Sequence, residues 1–352
     1  MKLVAGVLLV GLLALAGCKG DPPAPPPVVP LAAAPAAIEP AALRALPGQL
    51  WFLDEVGPTL RRIGDGAIRD VPALHEGAAL YLSTAQLADG RIVAISSFGD
   101  GRVDGEQLVL FDGEKVSPIG PRATAVRTPT INRARTWIVA AYTTDGVSNL
   151  RVHDLATAQS RLLTRDPQGN FTPAAVGDDH VGYVSSRDGD SEVYLQHVTT
   201  DATTRLTAFH REDYDPSADP SGTTIAFVSD REQGVARIFL VAPDGTHLRR
   251  LTTREDPAVD EGAVLWQRDD LLAYAITERG RTSLVLRVGT AERIATPAGA
   301  SDHEPVFSPD GNHLAVIRER PGQPTELVVV ATRRAGPDLV VARGKVRLPR
   351  WF

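Results

Sequence analysis

The stretch DPSADPSGTTIAFVS at residues 215–229 sets the pattern that most of the chain repeats. It begins with a short run that contains a proline and continues with a turn rich in Gly, Ser and Asp. An apolar run that contains a small residue follows the turn. The same layout returns as EPVFSPDGNHLAVI at 304–317. Weaker copies follow Pro129 and Pro173, and copies without the proline lie at 92–94 and 271–274. The chain is therefore built from internal repeats.

Two independent markers keep one period through these repeats. The first is a small residue in the apolar run, at positions 94, 140, 182, 226, 273 and 315, with intervals of 46, 42, 44, 47 and 42 residues. The second is a residue pair, found as Leu163-Thr164, Leu206-Thr207, Leu251-Thr252 and Ile294-Ala295. Each period of about 44 residues holds four short apolar runs separated by turns, which is typical of a β-propeller blade. Two markers with one period argue against a β-sandwich with coincidental spacing.

The two ends of the repeat region complete one shared blade. Pro349 follows Pro305 by 44 residues, so 346–352 has the pattern of an innermost strand. The run LWFL at 50–53 has the pattern of a second strand. We therefore predict an all-β fold: a seven-bladed β-propeller of four-stranded antiparallel blades, closed by a composite blade from both termini. Its blades are predicted at 346–352 with 49–76, 77–122, 123–169, 170–212, 213–256, 257–300 and 301–345.

Three motifs resemble the WD40-like (PD40) repeats of the TolB-type propeller family. They are PVFSPDG at 305–311, RLT at 205–207 and 250–252, and SRDGDSEVY at 186–194. The resemblance covers about 49–352 and is strongest between 170 and 317. It implies the propeller fold and is uninformative about chemistry. The family's namesake has six blades and a separate N-terminal domain, whereas seven blades are predicted here.

The composition excludes several classes of protein. Hydrophobic residues make up 43% and charged residues 23% of the 352 residues, which is close to globular averages and excludes a largely disordered chain. The 37 Lys and Arg against 43 Asp and Glu give a net charge of −6, whereas nucleic-acid binders normally carry a basic excess. A single Cys excludes an intramolecular disulfide framework and a Cys-rich zinc site.

The N-terminus has the pattern of a secretory signal peptide. Lys2 precedes an uncharged run at 3–17, which is shorter than the ~20 apolar residues of a membrane-spanning helix. The sequence LAGC at 15–18 resembles the bacterial lipobox and contains the single Cys of the chain. The resemblance implies cleavage before Cys18 and acylation of Cys18, with several acyl chains giving stable anchoring. Lys19, in place of Asp, implies sorting to the outer membrane.

A Pro/Ala-rich segment connects this anchor to the repeats. Residues 21–47 hold nine of the 27 prolines, which favours extended polyproline II backbone and no packed core. A proline-rich recognition ligand is the alternative to a tether. We expect a signal peptide at 1–17, the lipidated Cys and tether at 18–48, and the propeller at 49–352.

Acidic residues recur where three successive inner strands begin. Because inner strands line the central channel, their starting loops should ring one mouth of it, where converging carboxylates attract cations. The candidate binding rim consists of Glu212, Asp213, Asp215, Asp260, Glu261, Asp302 and Glu304. Basic residues occupy comparable positions in other blades: Arg127, Lys345, Arg347 and Arg350. The alternatives left open are a binding rim and a structural set that caps turns or pairs with those cations.

Sequence motifs for catalysis are missing. The chain has no Gly-x-Ser-x-Gly elbow, no His-Glu-x-x-His and no phosphate-binding loop, and its eight histidines lack metal-ligand spacing. His210 and His303 precede inner strands and are the two histidines nearest a predicted mouth. We expect no catalytic residue, metal or cofactor.

The leading hypothesis is a monomeric, non-catalytic scaffold at the periplasmic side of the outer membrane that binds an envelope protein, peptide or other ligand. The alternative is a propeller enzyme, a lyase or hydrolase that acts on a carbohydrate or peptide at the channel mouth. Propellers support both classes of function, so the fold does not decide between them. A Tyr–His pair or two carboxylates in a deep pocket would favour the enzyme.

Overall fold

The computed structural model describes residues 40–54, 59–71, 78–98, 105–333 and 336–352. Cys18, the signal peptide and the tether as far as residue 39 lie outside the described residues. Within these ranges the chain forms one short helix, α1 (Pro40–Arg44), and seven sheets of four strands each. No helix in the same ranges is long and apolar enough to cross a membrane.

The strands follow one another as antiparallel neighbours, and we number the blades in chain order. The first strands are β1 (Leu50–Asp54), β2 (Thr59–Gly64) and β3 (Ala67–Val71). Blade 1 contains β4 (Ala78–Gln86), β5 (Ile92–Phe98), β6 (Gly105–Phe111) and β7 (Val116–Ala123). Blade 2 contains β8 (Ala125–Ile131), β9 (Trp137–Thr144), β10 (Val147–Asp154) and β11 (Ser160–Leu162). Blade 3 contains β12 (Asn170–Val176), β13 (His180–Ser185), β14 (Glu192–His197) and β15 (Thr203–Arg205).

The remaining blades repeat the arrangement. Blade 4 contains β16 (Asp213–Ala218), β17 (Ile225–Glu232), β18 (Val235–Val241) and β19 (Arg249–Arg250). Blade 5 contains β20 (Val259–Arg268), β21 (Leu271–Glu278), β22 (Arg281–Val288) and β23 (Ala291–Ile294). Blade 6 contains β24 (Ser301–Phe307), β25 (His313–Glu319), β26 (Glu326–Ala331) and β27 (Leu339–Arg343). The last strand is β28 (Val346–Trp351).

The composite blade is confirmed. Blade 7 has the order β28-β1-β2-β3, so its inner strand comes from the C-terminus and its other strands from the start of the repeat region. Leu50 pairs with Trp351, and Asp54 pairs with Val346. Gln49 N donates to Phe352 O at 2.7 Å, which extends the pairing beyond the strands. Each of the seven inner strands contacts the inner strands of both neighbouring blades, so the ring is closed.

The small residue of each repeat lies between two blades. In β17, Ala226 packs with blade 5 while the adjacent Phe227 packs with blade 3. This division follows from the alternation of side chains along a strand. Ala94, Ala140, Ala273 and Ala315 have no exposed surface either. The hydrophobic core is therefore a series of apolar layers between neighbouring sheets. The period of the apolar runs in the sequence is the number of residues from one layer to the next.

The Leu-Thr marker has a structural cause at the short fourth strand. Leu206 N donates to Val193 O at 2.8 Å, and the Thr207 hydroxyl accepts from Val193 N at 2.9 Å. The Leu163-Thr164 pair makes the same two bonds to Leu150. The hydroxyl takes the place of a strand carbonyl, so the buried amide of the third strand is satisfied where the fourth strand has ended.

The proline marker coincides with an irregularity in the inner strands. Each residue before one of these prolines has a left-handed backbone, with φ between 45° and 52°; they are Thr128, Thr172, Asp215, Glu304 and Leu348. In β12, β16 and β24 the pairing with the second strand shifts register at this position, as in a β-bulge. A bulge re-aims a side chain, and left-handed backbone costs a non-glycine residue about 1–2 kcal/mol. Two of the re-aimed residues, Asp215 and Glu304, belong to the candidate rim.

Candidate binding site at the start of the inner strands

The candidate rim residues lie at the start of β16, β20 and β24, or directly before it. We call this side of the propeller the start side. Because neighbouring strands are antiparallel, the turn between the second and third strands of each blade lies on the start side too. Burial and, after it, the charge of neighbouring carboxylates raise the pKa of Tyr214 to about 12. These carboxylates are Asp215, Asp230, Asp260 and Glu212. The structure therefore brings acidic residues of blades 4 and 5 together around Tyr214.

Two rim carboxylates lie in the blade interior and pair with arginine. Asp213 has no exposed surface and accepts two hydrogen bonds from the Arg231 guanidinium, at 2.8 and 3.1 Å. Asp302, equally buried, accepts from Arg318 Nε at 2.7 Å and Nη2 at 2.8 Å. Arg318 also pairs with Asp338. In both blades the arginine lies in the second strand, and the ion pair connects that strand to the inner strand.

Glu261 joins two neighbouring blades. Its carboxylate is buried and accepts from Ile238 N of blade 4 at 3.0 Å and from the Thr252 hydroxyl at 2.6 Å. In blades 2 and 3 the marker threonine accepts the hydrogen bond from the third-strand amide, whereas here Glu261 accepts it. Glu261 therefore satisfies a buried backbone group at the blade interface.

The exposed Glu212 and Asp260 and the half-buried Glu304 each accept a hydrogen bond from neighbouring backbone. Glu212 accepts from Ser191 N at 3.3 Å, and Asp260 accepts from Ala236 N at 3.1 Å. In both groups the second carboxylate oxygen receives no hydrogen bond from any described residue. Glu304 accepts from Leu348 N of blade 7 at 2.5 Å and lies 3.8 Å from Arg347. Glu212 and Asp260 thus keep acceptor capacity at the surface.

Asp215 differs from the other six rim residues. No residue in the described part of the chain donates a hydrogen bond to its carboxylate. Burial is the single cause that raises the pKa of this carboxyl above its usual value. Its backbone is left-handed, with φ of 49°. A half-buried carboxylate without a donor in a strained backbone destabilises the folded state, which is typical of a group held for a ligand.

The basic residues at comparable positions contact neighbouring blades. Arg127 pairs with Glu106 of blade 1. Arg350 Nε donates to Leu82 O of blade 1 at 2.9 Å, and burial lowers the pKa of this arginine. Arg350 therefore helps to attach the composite blade to blade 1.

A Tyr–His pair exists but lies in the interior. The Tyr142 hydroxyl and His153 Nε2 are 2.9 Å apart across β9 and β10, and both residues are buried. Burial lowers the pKa of His153 to about 4. His303 lies near the mouth, 3.0 Å from the Ser301 hydroxyl, and His210 is exposed. Among the residues that the structure describes, no group of three or more His, Cys, Asp or Glu is arranged to hold a metal ion.

Sequence reasoning missed two features of the start side. The residue before each marker proline is a bulge position, and the recurrent x-Pro pair was the signal that could have identified it. Arg279, Arg281 and Arg320 line a shared cavity, and their clustering at successive second-to-third-strand turns was the available signal.

Comparison with known proteins gives one family match. The family model of the TolB β-propeller domain matches residues 86–352. The TolB homolog of Chlorobium luteolum is 25% identical over 156 residues, which cover 43% of this chain and 34% of that protein. The match therefore spans about a third of the length of this relative.

Solved structures share the fold at low identity. TolB from Acinetobacter baumannii is 20% identical with a TM-score of 0.53, covering 80% of this chain and 68% of that one. Oligogalacturonate lyase from Vibrio parahaemolyticus is 13% identical with a TM-score of 0.60, covering 84% and 86%. A puromycin hydrolase is 15% identical with a TM-score of 0.63, covering 88% and 56%. At these identities the likeness concerns the fold alone.

Proposed function

The chain belongs to the TolB β-propeller family, and from that premise we propose that it is a lipid-anchored, non-catalytic protein-binding scaffold of the bacterial envelope. The family supports a protein partner in the envelope, and the lipobox-like LAGC at 15–18 supports the anchor. In this proposal the signal peptide is 1–17, the lipidated Cys and tether are 18–48, and the propeller is 49–352. The acyl chains on Cys18 place the scaffold on the periplasmic side of the outer membrane.

The partner surface is the acidic mouth around Tyr214. The observation that carries this assignment is the Asp215 carboxylate, which burial destabilises and which no described residue satisfies. A lysine or arginine of a partner would supply the missing charge and hydrogen bonds, and so convert a cost of folding into a gain on binding. Glu212 and Asp260 add acceptor oxygens beside it. The proposed ligand chemistry is therefore a cationic segment of a protein or peptide.

The other members of the predicted rim have supporting roles. Asp213, Glu261 and Asp302 hold inner strands to their neighbours from the interior. Glu304 holds the start of blade 7. These four residues position the mouth, and the three at or near the surface of blades 4 and 5 contact the partner.

Crosslinking in intact cells tests the binding role. The double variant Asp215→Asn/Asp260→Asn keeps side-chain size and removes two charges from the mouth. Partner capture should fall, and the remaining capture should depend less on ionic strength, because salt screens exposed charges with a Debye length of about 10 Å at 0.1 M. Asp244→Asn/Asp270→Asn removes the same charge at turns on the opposite side and is the matched control. Equal capture by both double variants would contradict the proposed surface.

Detergent partition tests the anchor separately. Wild-type protein should enter the detergent phase, and Cys18→Ser should abolish this partition because the acylated sulfur is lost. Unchanged partition of the Ser variant would refute the lipoprotein assignment and leave the binding surface untouched.

The enzyme alternative lacks a supporting observation. Tyr142 and His153 are too deeply buried for a substrate to reach them. The lyase and hydrolase among the structural neighbours share the fold at 13% and 15% identity, which does not carry their chemistry to this chain.

A further inference from the structure

A shallow cavity lies between blades 5 and 6 on the start side. Its volume is about 360 Å³. Three chain segments form it: the turn at 279–281 that connects β21 to β22, the loop at 299–301 before β24, and the turn at 319–321 after β25. Arg279, Arg281 and Arg320 all line this one cavity, which we call the arginine pocket.

The three arginines of the pocket are compensated by their own chain to different degrees. Arg281 forms no ion pair and no side-chain hydrogen bond with any described residue. Arg279 reaches Glu278 at 3.8 Å, and its side chain is 87% exposed. Arg320 pairs with Glu326 at 2.5 Å, but Glu326 also pairs with Arg343. Glu319 lines the pocket too, and its carboxylate lies 3.9 Å from His303.

A second cavity on this side holds one arginine that its own chain fixes and one, Arg165, that forms no ion pair with any described residue. It lies at blades 2 and 3, has a volume of about 180 Å³ and is lined by Arg165, Asp166 and Arg187. There Arg187 pairs with Asp166 at 2.8 Å and also donates to Asn170 at 3.1 Å and Tyr183 at 3.0 Å. Arg187 is thus fixed by its own chain, whereas Arg279 and Arg281 are not.

The backbone of the arginine pocket is open to an approaching chain. Gly280 and Gly299 have left-handed backbones, with φ of 75° and 80°, and apart from their chain neighbours no residue has an atom within 4 Å of where a Cβ would stand. The two glycines therefore place no side chain of their own in the path of a peptide that approaches these turns. Guanidinium groups bind carboxylates through paired hydrogen bonds, which makes a cluster of them selective for carboxylate chemistry.

We propose that the arginine pocket binds the carboxylates of an acidic peptide segment. The pocket lies on the same side as the acidic mouth, so one partner with neighbouring cationic and acidic stretches would engage both regions in a fixed orientation. The proposal rests on the proposed function in one respect, which is that this side receives a protein partner.

Direct titration of the full-length protein in detergent tests the proposal without the natural partner. The probes are a fluorescent triglutamate peptide, its triglutamine counterpart and inorganic phosphate. The glutamate peptide should bind measurably tighter than the glutamine peptide. Arg279→Gln/Arg281→Gln should weaken its binding by about tenfold, because two of the three guanidinium groups are removed.

The control variant removes the same charge elsewhere. Arg69→Gln/Arg249→Gln alters two exposed strand arginines outside the pocket and should leave peptide affinity unchanged. Equal weakening by both double variants would show a net-charge effect and overturn the proposal. Unchanged affinity of Arg279→Gln/Arg281→Gln, or displacement of the peptide by equimolar phosphate, would overturn it as well. Failure of partner capture in cells with intact peptide binding would instead refute the proposed function.

Discussion

Asp213 and Asp215 lie two residues apart on one strand, yet they belong to two regions with opposite electrostatics. Asp213 is in the blade interior, where Arg231 supplies two hydrogen bonds and lies 4.7–5.3 Å from the ring centroids of Phe209, Phe227 and Phe239. Asp215 is at the mouth, where no described residue pairs with it, although burial raises the pKa of both carboxyls. The interior contains carboxylates together with their counter-charges, whereas at the mouth Glu212, Asp215 and Asp260 form no ion pair with any described residue. This contrast separates architecture from candidate function.

The largest effect is expected from removing an interior counter-charge. Arg318→Met leaves Asp302 buried without its guanidinium, which should lower the free energy of unfolding by about 3–5 kcal/mol. Denaturant unfolding monitored by fluorescence measures the loss. The exposed Arg281→Met serves as the control and should change stability by less than about 0.5 kcal/mol. A loss below 1 kcal/mol for Arg318→Met would contradict the conclusion that the interior ion pairs stabilise the fold.

The buried His153 should make the stability of the protein depend on pH. Burial holds the pKa of His153 at about 4, below its usual 6.5, so the unfolded chain binds the proton more readily between these values. The His153 contribution is fully present above pH 6.5 and is lost as pH falls towards 4, at a cost of about 3 kcal/mol. His153→Gln should flatten this part of the pH–stability curve, while the exposed His247→Gln should not. Parallel curves for wild type and His153→Gln would contradict the prediction.

A smaller effect of opposite sign is expected at the mouth. Asp215→Asn removes a destabilised charge and keeps a residue type that tolerates left-handed backbone, so melting temperature at pH 7 should rise slightly. Because the folded-state pKa of Asp215 is raised, wild-type stability gains from this group as pH falls towards its usual pKa. The variant should lack that gain. A lower melting temperature for Asp215→Asn at pH 7 would show that the carboxylate has an internal partner.

The smallest effect on stability is expected at Asp260. Its carboxylate is exposed, and Asn in its place keeps an oxygen that can accept from Ala236 N. Asp260→Asn should therefore change the free energy of unfolding by less than about 0.5 kcal/mol while reducing partner capture. A loss above 1 kcal/mol, measured by the same denaturant titration, would move Asp260 from the mouth surface to the architecture.

The predicted blades agree with the structure because the repeat has local causes. The fourth strands of blades 2 and 3 end early, and the hydroxyls of Thr164 and Thr207 satisfy the amides beyond them, while a small buried residue lies in the second strands of blades 1 to 6. Each feature recurs at the same position of its blade, so the period appears directly in the sequence. The composite blade was predictable for the same reason, since Pro349 and Leu50 carry the markers of particular strand positions.

The roles of the acidic residues could not be read from the sequence. The spacing of Asp213, Asp215, Asp260 and Asp302 shows that they share a position near the start of inner strands. It does not show that Arg231 and Arg318, from the paired second strand, reach two of them and leave Asp215 without a donor.

The sequence by itself determined the number of blades, their order and the strand that closes the ring, because these depend on repeated short-range patterns. Only the tertiary structure decided which carboxylates are architectural, because that depends on which side chains from other strands come within hydrogen-bond distance. The bulge before each marker proline turns a side chain away from the regular alternation, and the packing of neighbouring blades then buries it or exposes it. The proposed binding surface thus depends on contacts between segments that are distant in the chain.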